Sequence, residues 1–329
     1  MIEHAYQDLP VLVTGHTGFK GAWLCAVLQH MGAQVYGYAL QPEKESLYST
    51  LGLNIPSKFA DIRDFDSVQK YISEVRPRIV FHLAAQALVS VGRKHPVDTF
   101  STNIMGLVHV LEASARVGVE AVVVVSTDKV YTPKDVPCTT ESALGGLDPY
   151  SASKMAAEGV IAPYRDRLTI SVARAGNAIG GGDWATDRLF PDIIRAHQEK
   201  TPLQIRHPNA TRPWIHVSEL IAAYLRLGRA NLEGFHADVF NFGASDSMSV
   251  REVLQLVEQY GICPPIIYTD SPPKETQQLS LNIQKSKLLL GWNPVLTSKE
   301  AVKWTIEEYN ARPQERLSMM ISRMRLLQY

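Results

Sequence analysis

A doubly wound α/β fold, with a parallel sheet covered by helices on both faces and a smaller lobe after it, is what this sequence predicts. Three observations carry the expectation: short apolar runs suited to buried strands, helical apolar repeats between them, and a change of texture beyond Gly180. Residues 11–13 form an apolar run that ends in Thr-Gly, and apolar residues recur after it at Trp23, Leu24, Val27, Leu28 and Met31. That reads as strand, tight turn and helix. Residues 35–38 give a second strand, 79–83 a later one and 121–125 another, with helices near 66–74 and 102–115 between them. A further helix is expected over 150–164 and a buried strand over 169–173. Beyond that, glycine, proline and arginine are scattered among shorter helices at 218–229, 250–260 and 298–309. The chain is therefore divided into a first domain, 1–180, and a lobe, 181–329, from which some strands and helices return to the first domain. Ligands of open sheets bind at the carboxyl edge, where such a lobe would lie. Residues 315–327 mix Met, Leu and Arg at helical spacing, as a packing or subunit-contact helix does.

Composition narrows the function classes. Of 329 residues 45% are hydrophobic and 20% charged, which is a globular balance. Lys plus Arg equal Asp plus Glu at 33 each, so the basic excess that phosphate-backbone binding exploits is missing and no nucleic-acid partner is expected. Apolar runs such as 121–125 are too short to span a bilayer, and residues 1–10 include acidic groups where a leader would be basic. A cytoplasmic protein without a membrane partner is expected. Cys25, Cys138 and Cys263 lie far apart, cannot all pair and lack metal-ligand spacing, so no metal is assigned.

Gly15, Gly18 and Gly21 fall between the first strand and the first helix. Glycine there lets the backbone turn sharply, brings its amides close to a pyrophosphate and aims the positive helix end at it, so a Rossmann-type dinucleotide site is expected. Asp61 is placed where a carboxylate could accept the adenine amino group, although spacing alone fits a solvated turn equally well. The second strand offers no carboxylate before Glu43 and no arginine for a 2′-phosphate, so residue logic leaves NAD against NADP open.

Tyr150 and Lys154 stand four apart, which puts them on one helix face. An ammonium beside a phenol, together with a cationic nicotinamide, favours the phenolate, which can take a proton from a sugar hydroxyl while hydride leaves the same carbon. Ser126, Thr127, Asp128 and Lys129 follow the strand at 121–125 and emerge at the carboxyl edge. Because strand residues alternate faces, Asp128 and Lys129 can both point inward only if the strand has already broken into a loop; otherwise Lys129 is a surface residue or pairs with Asp128.

These features together resemble the extended short-chain dehydrogenase/reductase (NAD-dependent epimerase/dehydratase) family over nearly the whole chain. The collinear segments Gly15-His-Thr-Gly-Phe-Lys-Gly, His82-Leu-Ala-Ala-Gln, Ser126-Thr-Asp-Lys, Asp148-Pro-Tyr-Ser-Ala-Ser-Lys, Ala173-Arg-Ala-Gly-Asn, Asp187-Arg-Leu-Phe-Pro-Asp and Arg212-Pro-Trp-Ile-His-Val are similar to those of its CDP-glucose 4,6-dehydratases. That resemblance implies tightly held NAD and conversion of CDP-glucose to CDP-4-dehydro-6-deoxyglucose. It also implies deoxysugar supply for lipopolysaccharide and other surface polysaccharides, and a homo-oligomer such as a homodimer. Oxidation at C4 acidifies the C5 hydrogen and leaves the C6 hydroxyl in the β position, so an acid at O6 and a base at C5 expel water; Asp128 would be the acid and Lys129 the base. The implied catalytic set is Thr127, Asp128, Lys129, Tyr150 and Lys154. The implied cofactor contacts are Gly15, Thr17, Gly18, Phe19, Lys20, Gly21, Asp61, Ile62, Leu83, Ala84, Ala85, Gln86, Asn103 and Ser126, with Tyr150 and Lys154. Asn177, Asp187, Arg188, Arg212 and His216 are the implied substrate contacts. For Arg212 chemistry agrees, since a guanidinium suits a diphosphate, although a structural ion pair would use it as well. The run Gly180-Gly-Gly-Asp-Trp would let the chain bend around a ligand or form a plain loop. Two stretches depart from the family pattern, Gly92-Arg93 where Ser-Tyr is usual and Ser218-Glu219-Leu220 where Leu-Glu-Pro is usual. The rival readings are a UDP-sugar 4,6-dehydratase, a nucleotide-sugar 4-epimerase and a binding protein without turnover.

Overall fold

Strand Pro10–Thr14 alternates its side chains between two faces, and both faces are buried. The computed structural model, which describes residues 5–133, 136–235, 238–268 and 280–327, shows what covers them. Seven strands pair in the order Val239–Phe242, Thr169–Ala175, Ala121–Thr127, Ile79–His82, Pro10–Thr14, Gln34–Ala39 and Ser57–Phe59. Every pairing is parallel. Val11, Val13 and Val123 face one core, with Trp23 and Leu28 from helix Phe19–His30 and Leu220 and Tyr224 from helix Val217–Leu232. Leu12, Val80, Val122 and Val124 face the other, under helices Phe65–Val75, Gly106–Val117 and Pro149–Gly159. Strands buried on both sides must be apolar at successive positions, which is why they read as continuous runs in sequence.

The lobe has its own core, in which Phe190, Ile193, Trp214, Val253, Val257, Val302 and Ile306 pack together. Its helices are Leu189–Glu199, Val250–Gln259 and Ser298–Asn310, and the last two begin with capping boxes at Ser249/Glu252 and Thr297/Glu300. Helix Pro313–Leu326 turns Met320, Ile321 and Met324 into the core against helix Phe19–His30, so it packs within the chain.

Two features differ from the expectation, and one gives it a residue range. The strand Ser57–Phe59 is short and largely exposed, with no apolar run to betray it. The seventh strand, Val239–Phe242, lies beyond residue 180 and returns to close one end of the main sheet. The helix expected over 102–115 is three pieces, Pro96–Phe100, a π-turn Ser101–Met105 and Gly106–Val117, and the π-turn buries Asn103. Cys25 and Cys138 are buried thiols and Cys263 is exposed. Among the described residues no helix is long and apolar enough to cross a membrane, and no cluster of His, Cys, Asp or Glu could hold a metal ion.

Candidate active site

The turn after the first strand has no room for side chains. Gly15 has a positive φ of 73°, and a Cβ there would lie 2.7 Å from the Ala84 amide nitrogen. A Cβ on Gly21 would lie 2.2 Å from the Gly15 carbonyl oxygen. Gly18 precedes helix Phe19–His30, whose first turn is capped by no side chain, so its amides suit an anionic oxygen. This cradle fits the pyrophosphate of a dinucleotide. Thr17 ties it to the second strand by donating to Leu40 O at 3.2 Å, and the Phe19 ring lies against Gly180. Lys20 lies near Arg188, Asp128, Lys154 and Asp183; burial, with Arg188, presses its ammonium down to about 8. His16 was not singled out from sequence. Its ring is buried against Gly37, Tyr48 and Phe59, and burial pushes it down to about 4, so it is neutral.

Further along the edge, the Asp61 carboxylate is forked by Arg63, with Nη2 at 2.7 Å, and Arg63 reaches on to Asp98 at 2.9 Å. Ile62 is buried against Gly106. Leu83, Ala84 and Ala85 form the loop after the fourth strand, and the Ala84 amide donates to Thr14 Oγ1 at 3.3 Å. Gln86 and Asn103 spend their side chains within the protein. Asn103 Oδ1 accepts from the Gln86 amide at 2.8 Å, and its Nδ2 donates to Gln86 O and Ser153 Oγ. The Gln86 side chain bonds Leu88 and Thr99. These two side chains pin the loop to the helices beside it.

Helix Pro149–Gly159 starts at Asp148, whose carboxylate accepts from the Ser151 amide at 3.1 Å and from Ser151 Oγ at 2.6 Å. Helical spacing then lines up Tyr150, Lys154 and Glu158. Lys154 Nζ donates to Val125 O at 2.8 Å; burial pushes this ammonium down to about 8 while Glu158 pulls it up. The Tyr150 phenol is pushed up to about 12 by burial, against a hydrogen bond with Thr127 and the nearby charge of Arg188. Lys154 stands one turn further along the same helix face, and the bound cofactor's cationic nicotinamide would add the charge that favours the phenolate. Gly92, one of the departures from the family pattern, packs against Tyr150, where an added Cβ would come within 3.3 Å of its amide nitrogen.

The fifth strand ends in a single 3-10 turn, Asp128–Val130. Asp128 is 4% exposed and accepts from Thr127 Oγ1 at 3.1 Å, and burial raises its carboxyl while Lys129 and Thr127 oppose the rise. Lys129 is exposed. The strand does break, yet the turn sends the two side chains to different environments, Asp128 inward and Lys129 to the rim. Ser126 was expected at the cofactor, but its hydroxyl donates to Glu158.

Asp128, Lys129, Tyr131, Ser151, Asn177 and Arg212 line one cleft at this edge. Arg212 Nη1 donates to Thr211 O at 2.9 Å. Arg188, at the start of helix Leu189–Glu199, holds its Nη1 3.6 Å from Asp183 Oδ2, and Asp187 before it is exposed with a positive φ of 59°. His216 does not join them. Its ring is fully buried, with Nδ1 on Ser218 Oγ at 2.6 Å and Nε2 on Glu308 Oε2 at 3.1 Å, so no polar atom remains for a substrate and that expectation is corrected. The glycine run bends around protein: added Cβ atoms would strike Val217 at Gly180, Glu308 at Gly181 and Leu47 at Gly182.

A Rossmann sheet with a glycine cradle, a tyrosine–lysine helix and a charged cleft beneath a small lobe is the frame of a dinucleotide-dependent enzyme, and the chain belongs to the NAD dependent epimerase/dehydratase family, whose model matches residues 11–243. It is a homologue of the CDP-glucose 4,6-dehydratase of Salmonella typhimurium (strain LT2), with 39% identity over 91% of each chain. It is 26% identical to the UDP-glucose 4-epimerase of Rhizobium meliloti, covering 88% of this chain and 93% of that one. The structure of MoeE5 in complex with UDP-glucose and NAD is similar at a TM-score of 0.80 and 25% identity, over 90% of this chain and 97% of that one.

Proposed function

We propose that this chain is a nucleotide-sugar 4,6-dehydratase that converts CDP-glucose to CDP-4-dehydro-6-deoxyglucose and water, with NAD as its resident cofactor. The observation that carries the reading is Asp128: a buried carboxyl whose acidity is weakened, set beside Tyr150 and Thr127 and lining the cleft that holds Asn177 and Arg212. An epimerase needs no such acid; elimination does. The glycine cradle and the Asp61 edge would hold the dinucleotide. When bound there, the dinucleotide would supply reversible hydride transfer between C4 and C6 of the sugar. Tyr150 takes the proton from the C4 hydroxyl, with Thr127 steadying the phenol. Asp128 gives a proton to O6 as water leaves, and Lys129, at the rim and desolvated only when the sugar closes over it, gives up its own proton to solvent and takes the proton from C5. As hydride reaches C6, Lys129 returns a solvent-exchanged proton to C5 and the proton held by Tyr150 makes good the one Asp128 gave, so redox state is restored and the net change is loss of one water. Arg212, Asn177 and Arg188 hold the diphosphate, with Asp187 beside the nucleotide.

A cytoplasmic homo-oligomer completes the proposal. Exposed Val97, Phe100 and Met105 lie on a helical stretch that packs along the tyrosine helix, and a second copy would cover them. The test is incubation with CDP-glucose in deuterium oxide. A product lighter by one water and carrying deuterium at C5 is expected; an unlabelled 4-epimer, or turnover confined to UDP-sugars, overturns the assignment.

A further inference from the structure

Glu158 has no part in the chemistry above, yet its carboxylate is among the most tightly held groups near the cleft. It follows Lys154 by one turn on the same helix face, and its side chain is 8% exposed. It accepts from Ser126 Oγ, and it receives Arg174 through Nη2 at 2.7 Å and Nε at 3.0 Å. Arg174 continues through Nη1 to Tyr131 Oη at 2.8 Å, and Tyr131 donates to Asn241 Oδ1 at 2.7 Å. Asn241 Nδ2 in turn donates to Cys138 O at 2.8 Å. Meanwhile Lys154 grips the carbonyl of Val125, the residue before Ser126. One helix face thus holds two successive residues of one strand end, and the next two residues are Thr127 and Asp128.

We propose that Glu158, braced by Arg174, is a positioning residue of the reaction: with Lys154 it clamps the Tyr150 helix to the strand end at Val125 and Ser126, fixing Tyr150 relative to Thr127 and Asp128. The inference rests on the dehydratase reading above. A misplacement of about 1 Å between reacting groups costs on the order of 10²-fold in rate, so a two-point clamp has a kinetic purpose. Stability alone is a poor account of it, because a buried ion pair roughly repays its desolvation and no more. The clamp also sets charge. The groups facing Lys154 are Tyr150 and Glu158 on its own helix, Lys20 from the glycine turn and His82 from the fourth strand, and of these Glu158 carries the negative charge that sustains the ammonium.

The experiment compares Glu158→Gln/Arg174→Met, which removes both buried charges together, with Glu158→Asp and Tyr150→Phe in the full chain. Thermal unfolding and the pH profiles of kcat and KM for CDP-glucose are measured for each. The double variant is expected to stay folded, lose at least about tenfold in kcat at pH 8 with KM changed less than about twofold, and show its alkaline limb displaced to lower pH. The sign follows from Lys154 losing its proton earlier without the carboxylate. Glu158→Asp, which keeps the charge but shortens the reach, should restore the limb and not the full kcat. A folded double variant with the parent's kcat and pH profile, alongside an inactive Tyr150→Phe, overturns the clamp and leaves the dehydratase reading standing. An active Tyr150→Phe overturns that reading, and the clamp with it.

Discussion

Two clusters of buried polar groups lie within this molecule, and they are treated oppositely. In the cleft, burial dominates: Lys20 and Lys154 are pressed down to about 8, Tyr150 is pushed up to about 12 and Asp128 is raised. Around His216, pairing dominates. Glu308 receives the Gly181 amide at 2.6 Å and bonds His216 at 3.1 Å, and Arg323 forms an ion pair with it at 2.5 Å, so against the pull of burial its carboxyl is held below the usual range. Arg323 also donates to Trp304 O at 2.7 Å and to Glu307 at 2.6 Å. Burial is comparable in the two; the number of opposite charges is not. A well-paired buried network staples elements together, here the C-terminal helices to the glycine run. A poorly compensated one brings Lys20, Lys154 and Asp128 closer to exchanging protons near neutral pH, while Tyr150 depends on the charge a bound cofactor would add.

The sharpest way to break this comparison is Tyr150→Phe. It should lower kcat by about 10³-fold and eliminate transient reduced cofactor in stopped-flow absorbance, with the fold intact by circular dichroism. Next, Asp128→Asn should slow water loss by about 10²-fold while C4 oxidation still occurs, seen as enzyme-bound reduced cofactor that persists. In the other cluster the effect should fall on stability. Glu308→Ala leaves His216 and Arg323 without their carboxylate and should cost about 3 kcal/mol in denaturant unfolding, with little change in the kcat of the molecules that remain folded.

The smallest expected effect runs the other way. Lys154→Met should stabilise the protein at pH 7 by about 2 kcal/mol, from relief of a shift of 10.5 to about 8 less the lost bond to Val125. Because the folded value lies below the unfolded one, the penalty is complete below about pH 8 and fades as pH rises towards 10.5. The stability gap between variant and parent should therefore close over that window; a gap that widens there would refute the assignment of strain to this ammonium.

Much of the cleft was legible in advance because its signals are local. Helical periodicity alone places Tyr150 and Lys154 on one face, and crowding of backbone by backbone demands glycine at Gly15 and Gly21. His216 and Ser126 were not legible. Their motifs sit at the cleft in sequence order, but their side chains answer to Glu308 and Glu158, which are 92 and 32 residues away. The Asn103 side chain turns inward to the Gln86 backbone and Ser153, and that of Gln86 to Leu88 and Thr99.

By itself the sequence determined the alternation of strand and helix, the cofactor turn and the tyrosine helix, since each depends on residues within a few positions of one another. Only the tertiary structure decided that Val239–Phe242 closes the main sheet, that Lys129 lies outside while Asp128 is buried, and that the glycine run packs on Glu308 and Leu47. The physical reason is that burial and hydrogen-bond partnership are set by distant chain segments, and these fix which way a polar side chain turns.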